Sequence, residues 1–349
     1  MGRGFTSFLC GRDSGKKVEV AVMMLSKAVR GKQMSRDTLK SLSDNIRRVI
    51  VGKEAVTELL LTSLLARGHC LIDDVPGVGK TKLANALARS LGIDFKRIQF
   101  TPDLQPADIT GIYFYNQKEG EFQFRPGPVF TNILLADEIN RAVPRTQSSL
   151  LEAMEEQQVS IEGTIFPLDP PFMVIATQNP LELEGTFPLP EAQLDRFLMK
   201  IDMGYPSMAE EVEILSRFKQ SDPMEDLEPV LDGAAITQLR DEVAQVHLTQ
   251  DLMNYIAVLA KATRENRHLR LGLSPRGSLA LMRACLAYAY IQGRDYVLPD
   301  DVKYLFPYVA GHRLILEYDS EYAASSKGEL IQEILAQVRV PTEDVLHGS

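Results

Sequence analysis

The stretch that constrains this chain most is DDVPGVGKTKLA, residues 73–84. Gly77 and Gly79 bracket Val78, and Lys80 and Thr81 lead straight into a helix-forming run. In a glycine-rich strand-to-helix turn, backbone N–H groups converge on an anion and the next helix adds its positive end. Glycine lets the backbone approach that anion without a Cβ clash. Lys80 is suited to the β- and γ-phosphates of a nucleotide, and the Thr81 hydroxyl to Mg²⁺. Asp74, Val75, Pro76, Gly77, Val78, Gly79, Lys80, Thr81 and Lys82 are therefore read as one phosphate cradle. Asp74 departs from the strict motif, which has glycine at that place.

A nucleotide hydrolase also needs a carboxylate at the end of a neighbouring strand for the metal, and a base for the attacking water. ILLADE supplies both: Asp137 joins Thr81 at the metal, and Glu138 polarises the water. Together the two motifs point to hydrolysis of a nucleoside triphosphate with Mg²⁺. In VIATQNP, Asn179 falls just past a strand expected beside the LLADE strand. Its amide can hold the water or sense the γ-phosphate, and an Asn that simply ends a strand is as ordinary. Arg196, in LPEAQLDRFLMK, can reach the nucleotide of an adjacent protomer; the plain alternative is a surface pair with Asp195. In GLSPRGSLALMRA, Ser274 is a natural N-cap and Pro275 fits the first helical position. Arg276 then sits where a cation opposes the helix dipole, which suggests an external anion and a second phosphate sensor. Arg141 and Arg145 remain open between a neighbour's nucleotide and a helix-start salt bridge.

Around these motifs, strand-like runs (HCLID, FKRIQF, NILLADE, FMVIATQNP) alternate with helical ones (KTKLANALARSLG, RTQSSLLEAMEEQQ). The continuous apolar strands suit a buried parallel sheet, hence an α/β domain. GYPS at 204–207 reads as a linker. Helical periods follow at Met208–Lys219, Gly233–His247, Gln250–Glu265, Pro275–Ile291 and Pro299–Arg313, with GELIQEILAQV near the end. A length of 349 residues fits two domains. The net charge of −9 disfavours nonspecific nucleic-acid binding. Three scattered cysteines give no disulfide framework or metal spacing and suit a reducing, cytoplasmic setting. No secretory signal is read, and no run reaches the ~20 apolar residues of a membrane helix. Residues 1–36 are basic, and KKVEVAVMMLSKAVRGK is open between a packing helix and a peripheral membrane contact.

These elements, in this order, resemble an AAA+ ATPase, and more narrowly the MoxR family. The carriers are LIDDVPGVGKTKLA, LLADEINRAVPRTQSSLLEAMEEQQVS, ATQNPLELEGTFPLPEAQLDRF, GLSPRG and LPDDVKYLFPYVAGHRL, spanning about residues 38–316. The resemblance implies a P-loop α/β core with a parallel sheet over 37–204 and a small all-helical lid over 205–318. Residues 1–36 form a basic extension, and 319–349 a last helix and tail. It further implies a homo-oligomeric ring, usually hexameric, with Arg276 reading the γ-phosphate in the same chain and Arg196 that of the next. Two inserted hairpins are expected: one in GIYFYNQKEGEFQFRPGPVF, where Tyr113, Tyr115, Phe122 and Phe124 flank a turn, and one in QVSIEGTIFPL, turning at Glu162-Gly163. By analogy the output is chaperone-like remodelling of a protein client, one with a von Willebrand A domain. A magnesium-chelatase-like subunit also pairs with such a partner, but GTFPLPEAQLDRF favours MoxR. A nucleic-acid motor would want basic pore loops, whereas the hairpin tips carry Glu119, Glu121 and Glu162 beside Lys118. A non-hydrolysing scaffold fits poorly with Lys80, Asp137 and Glu138 all in place.

Overall fold

The computed structural model describes residues 38–73, 77–179, 185–219, 221–317 and 327–341. The basic segment 1–36 and the cradle residues Asp74, Val75 and Pro76 lie outside the described residues. Helices α1 (38–47) and α2 (Glu54–Leu65) lead into β1 (Cys70–Asp73) and, past the glycine turn, α3 (Lys80–Ser90). Next come β2 (Phe95–Gln99), α4 (Pro106–Thr110), the hairpin of β3 (Gly111–Asn116) and β4 (Glu121–Pro126), β5 (Ile133–Asp137) and α5 (Pro144–Glu156). A second hairpin, β6 (Gln158–Ile161) and β7 (Thr164–Pro167), precedes β8 (Met173–Gln178), α6 (Glu191–Leu194) and β9 (Met199–Ile201). The helical part holds α7 (Met208–Phe218), α8 (Gly233–Val243), α9 (Gln250–Glu265), β10 (Leu269–Leu271), α10 (Pro275–Ile291), α11 (Pro299–Ala310), β11 (Ile315–Leu316) and α12 (Lys327–Gln337).

The main sheet has five strands in the order β2-β5-β8-β1-β9, paired parallel throughout. Its central strands ILLAD and MVIATQ are buried on both faces, as their unbroken apolar runs require. Alternate side chains feed two apolar cores. Ile133 and Leu135 of β5 and Met173 and Ile175 of β8 face one core, built with α1, α2, α3 and the lid helices. Leu134, Ala136, Val174 and Ala176 face the other, built with α5. The lid thus closes over the same face of the sheet as α2 and α3 and shares their core. Strand β2 carries Lys96 and Arg97 at the sheet edge, where charge blocks further pairing.

Both hairpins form where the alternation placed them. Tyr113 pairs with Phe124 and Tyr115 with Phe122 across β3 and β4. The second turns at Glu162 and Gly163, both at positive φ, a two-residue turn that matches strand twist. The helical periods recur with small differences. The α8 helix stops at Val243 rather than His247, because the chain leaves to pair in a bridge with Tyr296. The α11 helix stops at Ala310, and Arg313 turns back onto the core. Helices α1 and α2 and the small β10–β11 pair carried no motif in the sequence.

Candidate functional site

Parallel strands deliver all their carboxyl ends to one edge of a sheet, where ligands of open α/β folds bind. Here that edge carries Gln99 of β2, Asp137 of β5, Gln178 of β8 and Asp73 of β1. A cavity of about 420 Å³ opens there, lined by the glycine turn, Lys80, Thr81, Asp137, Glu138 and Asn179. Gly77 and Gly79 sit at φ +89° and +95°, and Gly79 caps α3. Among the described residues, a Cβ on either would meet nothing within 4 Å. Glycine is therefore demanded by the left-handed backbone and by the open volume where an anion would lie, not by crowding from the protein.

Thr177 organises the acidic pair. Its hydroxyl donates to Asp137 Oδ1 at 2.6 Å and accepts from the Glu138 backbone N–H at 2.8 Å. The other Asp137 oxygen accepts from the Arg97 guanidinium at 2.6 Å. Glu138 itself is left-handed, φ +56°, an uncommon state for a non-glycine residue and one that recurs at functional sites. Its carboxylate accepts from the Gln99 amide at 2.6 Å and pairs with Arg141 at 3.0 Å. Arg141 thus takes the salt-bridge alternative within its own chain, while Arg145 is exposed at the start of α5. Asn179 is buried just beyond β8, at the same edge. A hydroxyl and a carboxylate, both hard oxygen donors, suit Mg²⁺, and the Lys80 amine beside them suits a phosphate.

The sequence reading missed Arg97, Gln99 and Thr177. The signal was register: Gln99 lies beside Asp137, and Thr177 is the next position after the Ala136–Ala176 pair. It also missed an apolar slot of about 270 Å³ that shares Gly77, Gly79 and Lys82 with the phosphate cavity. Val49, Val51, Met203, Ile214 and Phe218 line it, dimensions and chemistry that suit a flat purine base. Val78 faces this slot, not the acidic pair. Lys82 pairs with Asp222 at 2.8 Å and lies 3.9 Å above the Phe218 ring, so its charge is directed to the lid.

The two remaining arginines stand elsewhere. Arg196 and Arg276 line a cavity of about 750 Å³ with His69, Leu198 and Glu155. His69 and Leu198 precede β1 and β9, and Glu155 ends α5, so this cavity lies at the amino edge of the sheet, opposite the glycine turn. It shares no lining residue with the phosphate cavity. The expectation that Arg276 reads the γ-phosphate of its own chain is corrected accordingly: its helix α10 packs on α2, and this carries the first turn to the far edge. The helix start is as expected, with Ser274 Oγ accepting from the Gly277 N–H at 3.0 Å. Nor does Arg196 pair with Asp195. Asp195 is bound by Arg313 at 2.6 Å, and Arg196 by Glu155 at 2.7 Å.

Among the described residues, no helix is long and apolar enough to cross a membrane, and no cluster of His, Cys, Asp and Glu could hold a metal by itself. The ATPase family associated with various cellular activities (AAA) matches over residues 69–199, and the AAA lid domain over 261–336. Chaperone MoxR1 of Mycobacterium tuberculosis is 44% identical over 313 residues, covering 87% of this chain and 82% of that protein. Protein MoxR of Methylorubrum extorquens is 32% identical, covering 88% and 96%. A crystal structure from Cytophaga hutchinsonii, described as a candidate ATPase, superposes with a TM-score of 0.86 at 39% identity, covering 92% of this chain and all of that one. With the glycine turn, the acidic strand end and the lid in this arrangement, the chain belongs to the MoxR family of AAA+ ATPases.

Proposed function

We propose that this chain binds and hydrolyses ATP with Mg²⁺ at the seams of a hexameric ring of its own copies, and uses the motion to remodel a protein client in the cytoplasm. The observation that carries the reading is the single cavity that gathers Lys80, Thr81, Asp137, Glu138 and Asn179 at the carboxyl edge. The backbone of the glycine turn and Lys80 hold the β- and γ-phosphates, and the neighbouring apolar slot takes the base. Thr81 and, through water, Asp137 would hold Mg²⁺, which would supply positive charge beside the phosphate oxygens. Glu138 takes the proton of the attacking water, which Asn179 helps to place. The phosphates lie far from Arg196 and Arg276 of the same chain, so both arginines serve the neighbour's γ-phosphate. A heterologous contact that joins one edge to the opposite edge of the next copy forms a ring when its rotation closes.

For the client, support comes from a relative named as a chaperone. The exposed Tyr115 and Phe122 of the first hairpin offer it an apolar surface. A partner with a von Willebrand A domain is the client class we favour. The basic segment 1–36 is assigned to packing on this assembly or on a membrane surface. Glu138→Gln tests the chemistry: it should bind ATP as the wild type does and release phosphate at least ~10²-fold more slowly. A wild-type rate would remove Glu138 as the base. Lys80→Ala should lose nucleotide binding, and unchanged affinity would remove the cradle.

A further inference from the structure

Glu155 holds both amino-edge arginines at once. One carboxylate oxygen receives Arg196 Nε at 2.7 Å, and the other receives an Arg276 terminal nitrogen at 3.1 Å. Two guanidiniums on two oxygens of a single anion is the arrangement they would make on a terminal phosphate. The charges sit badly on their own elements. Glu155 is in the last turn of α5, and Arg276 in the first turn of α10, so each opposes its helix dipole. Each is offset by the other. Among the described residues, the only other acid lining the cavity, Asp195, is already committed to Arg313. Arg240 and Arg283 add positive charge around it, while Arg67 pairs with Asp241 at 3.6 Å, so the cavity carries an excess of cation for one anion to satisfy.

The geometry points to Glu155 as an internal stand-in for the neighbour's phosphate. It keeps Arg196 and Arg276 paired while a subunit is alone and yields them on assembly. The inference rests on the proposal that these arginines act in trans. All three side chains are partly exposed, at 36%, 29% and 45% for Glu155, Arg196 and Arg276, and ion pairs of that exposure are weak. A phosphate group carries a charge of about −1.5 to −2 and three acceptor oxygens against the carboxylate's single charge, so the exchange favours the nucleotide. Glu155 is thus a positioning residue that sets how readily copies join, through competition and not through contact with substrate.

The test measures assembly, not turnover: the protein concentration at half-assembly in sedimentation velocity, with Mg²⁺ and a non-hydrolysable ATP analogue. Glu155→Gln keeps shape and removes charge, and it should lower that concentration about three- to tenfold. Glu155→Asp, which keeps the charge, should stay near wild type. The pair Arg196→Ala with Arg276→Ala should raise the concentration, and adding Glu155→Gln to it should change nothing further. An unchanged or raised value for Glu155→Gln alone overturns the inference. So does a shift of equal size in the double-arginine background. If the double-arginine variant assembles and hydrolyses as wild type does, the trans reading itself falls. If the arginines matter and Glu155→Gln shifts nothing, only the stand-in role is removed.

Discussion

Thr177 shows how much one hydroxyl can organise. It donates to the acid assigned to the metal and fixes the backbone of the acid assigned to the water. Thr177→Val keeps the shape but leaves the Glu138 N–H unmatched in a partly buried place. We expect a loss of about 1–3 kcal/mol of stability and a lower turnover with ATP affinity little changed. Chemical denaturation and phosphate release measured on one preparation check both. At the opposite edge, the His69 ring bonds the Met154 carbonyl at 3.1 Å and accepts the Val174 N–H at 2.9 Å. Accepting at Nδ1 requires a neutral ring with its proton on Nε2. Burial holds the pKa near 4, against an ordinary value of 6.5. Between those values the unfolded chain binds more protons than the folded one, so stability is full above about pH 6.5 and falls as pH drops toward 4. The loss reaches about 3 kcal/mol at the low end. His312 is displaced in the same direction by burial and by Arg313 and adds to the slope. Denaturant midpoints from pH 7.5 to 4.5 should fall, and His69→Gln should flatten the curve.

Among the elements, the segment between α6 and β9 is held by the lid as well as by the core that carries it. Arg313 donates to the Asp195 carboxylate and to the carbonyls of Asp195, Phe197 and Leu198. Asp195 also accepts from Ser274, the cap of α10, at 3.3 Å. Any movement of α10 and α11 therefore reaches Arg196 directly. Asp195→Ala strands a guanidinium that is 4% exposed, at a cost of about 3 kcal/mol. It should also loosen Arg196, read as faster amide exchange over 195–198. The two hairpins are likewise joined, by Phe124 stacked on Phe166 at 4.4 Å, a contact worth about 1 kcal/mol. These elements were legible in proportion to their local pattern. Continuous apolar runs gave the central strands, Ser274-Pro275 gave the start of α10, and alternating aromatics gave β3 and β4. Helix α2 escaped because its face is apolar nearly all round and carries no cap motif. The slot escaped because its walls come from the segment between α1 and α2, the stretch around the linker and α7, residues brought together only by the fold.

For the molecule as a whole, the proposal gives each copy two incomplete halves on opposite edges of one sheet. The sequence reading gave Arg196 to the neighbour's nucleotide and Arg276 to its own chain's; strand direction puts both on the amino edge. Their separation gives a test by complementation. An Arg196→Ala copy has a sound cradle but offers its neighbour only Arg276. A Glu138→Gln copy still binds ATP and presents sound arginines, yet cannot hydrolyse. Each variant alone should be nearly inactive. Mixed in equal amounts, a seam works only where the cradle comes from the first and the arginine from the second. Random assembly makes such seams about one quarter of all, so about a quarter of the wild-type rate should return. Ring-wide coupling between seams would lower the yield, but any rate above the sum of the two separate variants requires arginine supplied across the interface. If Arg196→Ala alone runs at the wild-type rate, the amino edge has no part in hydrolysis. If the mixture stays at the sum of its parts while both variants assemble, the two edges do not meet.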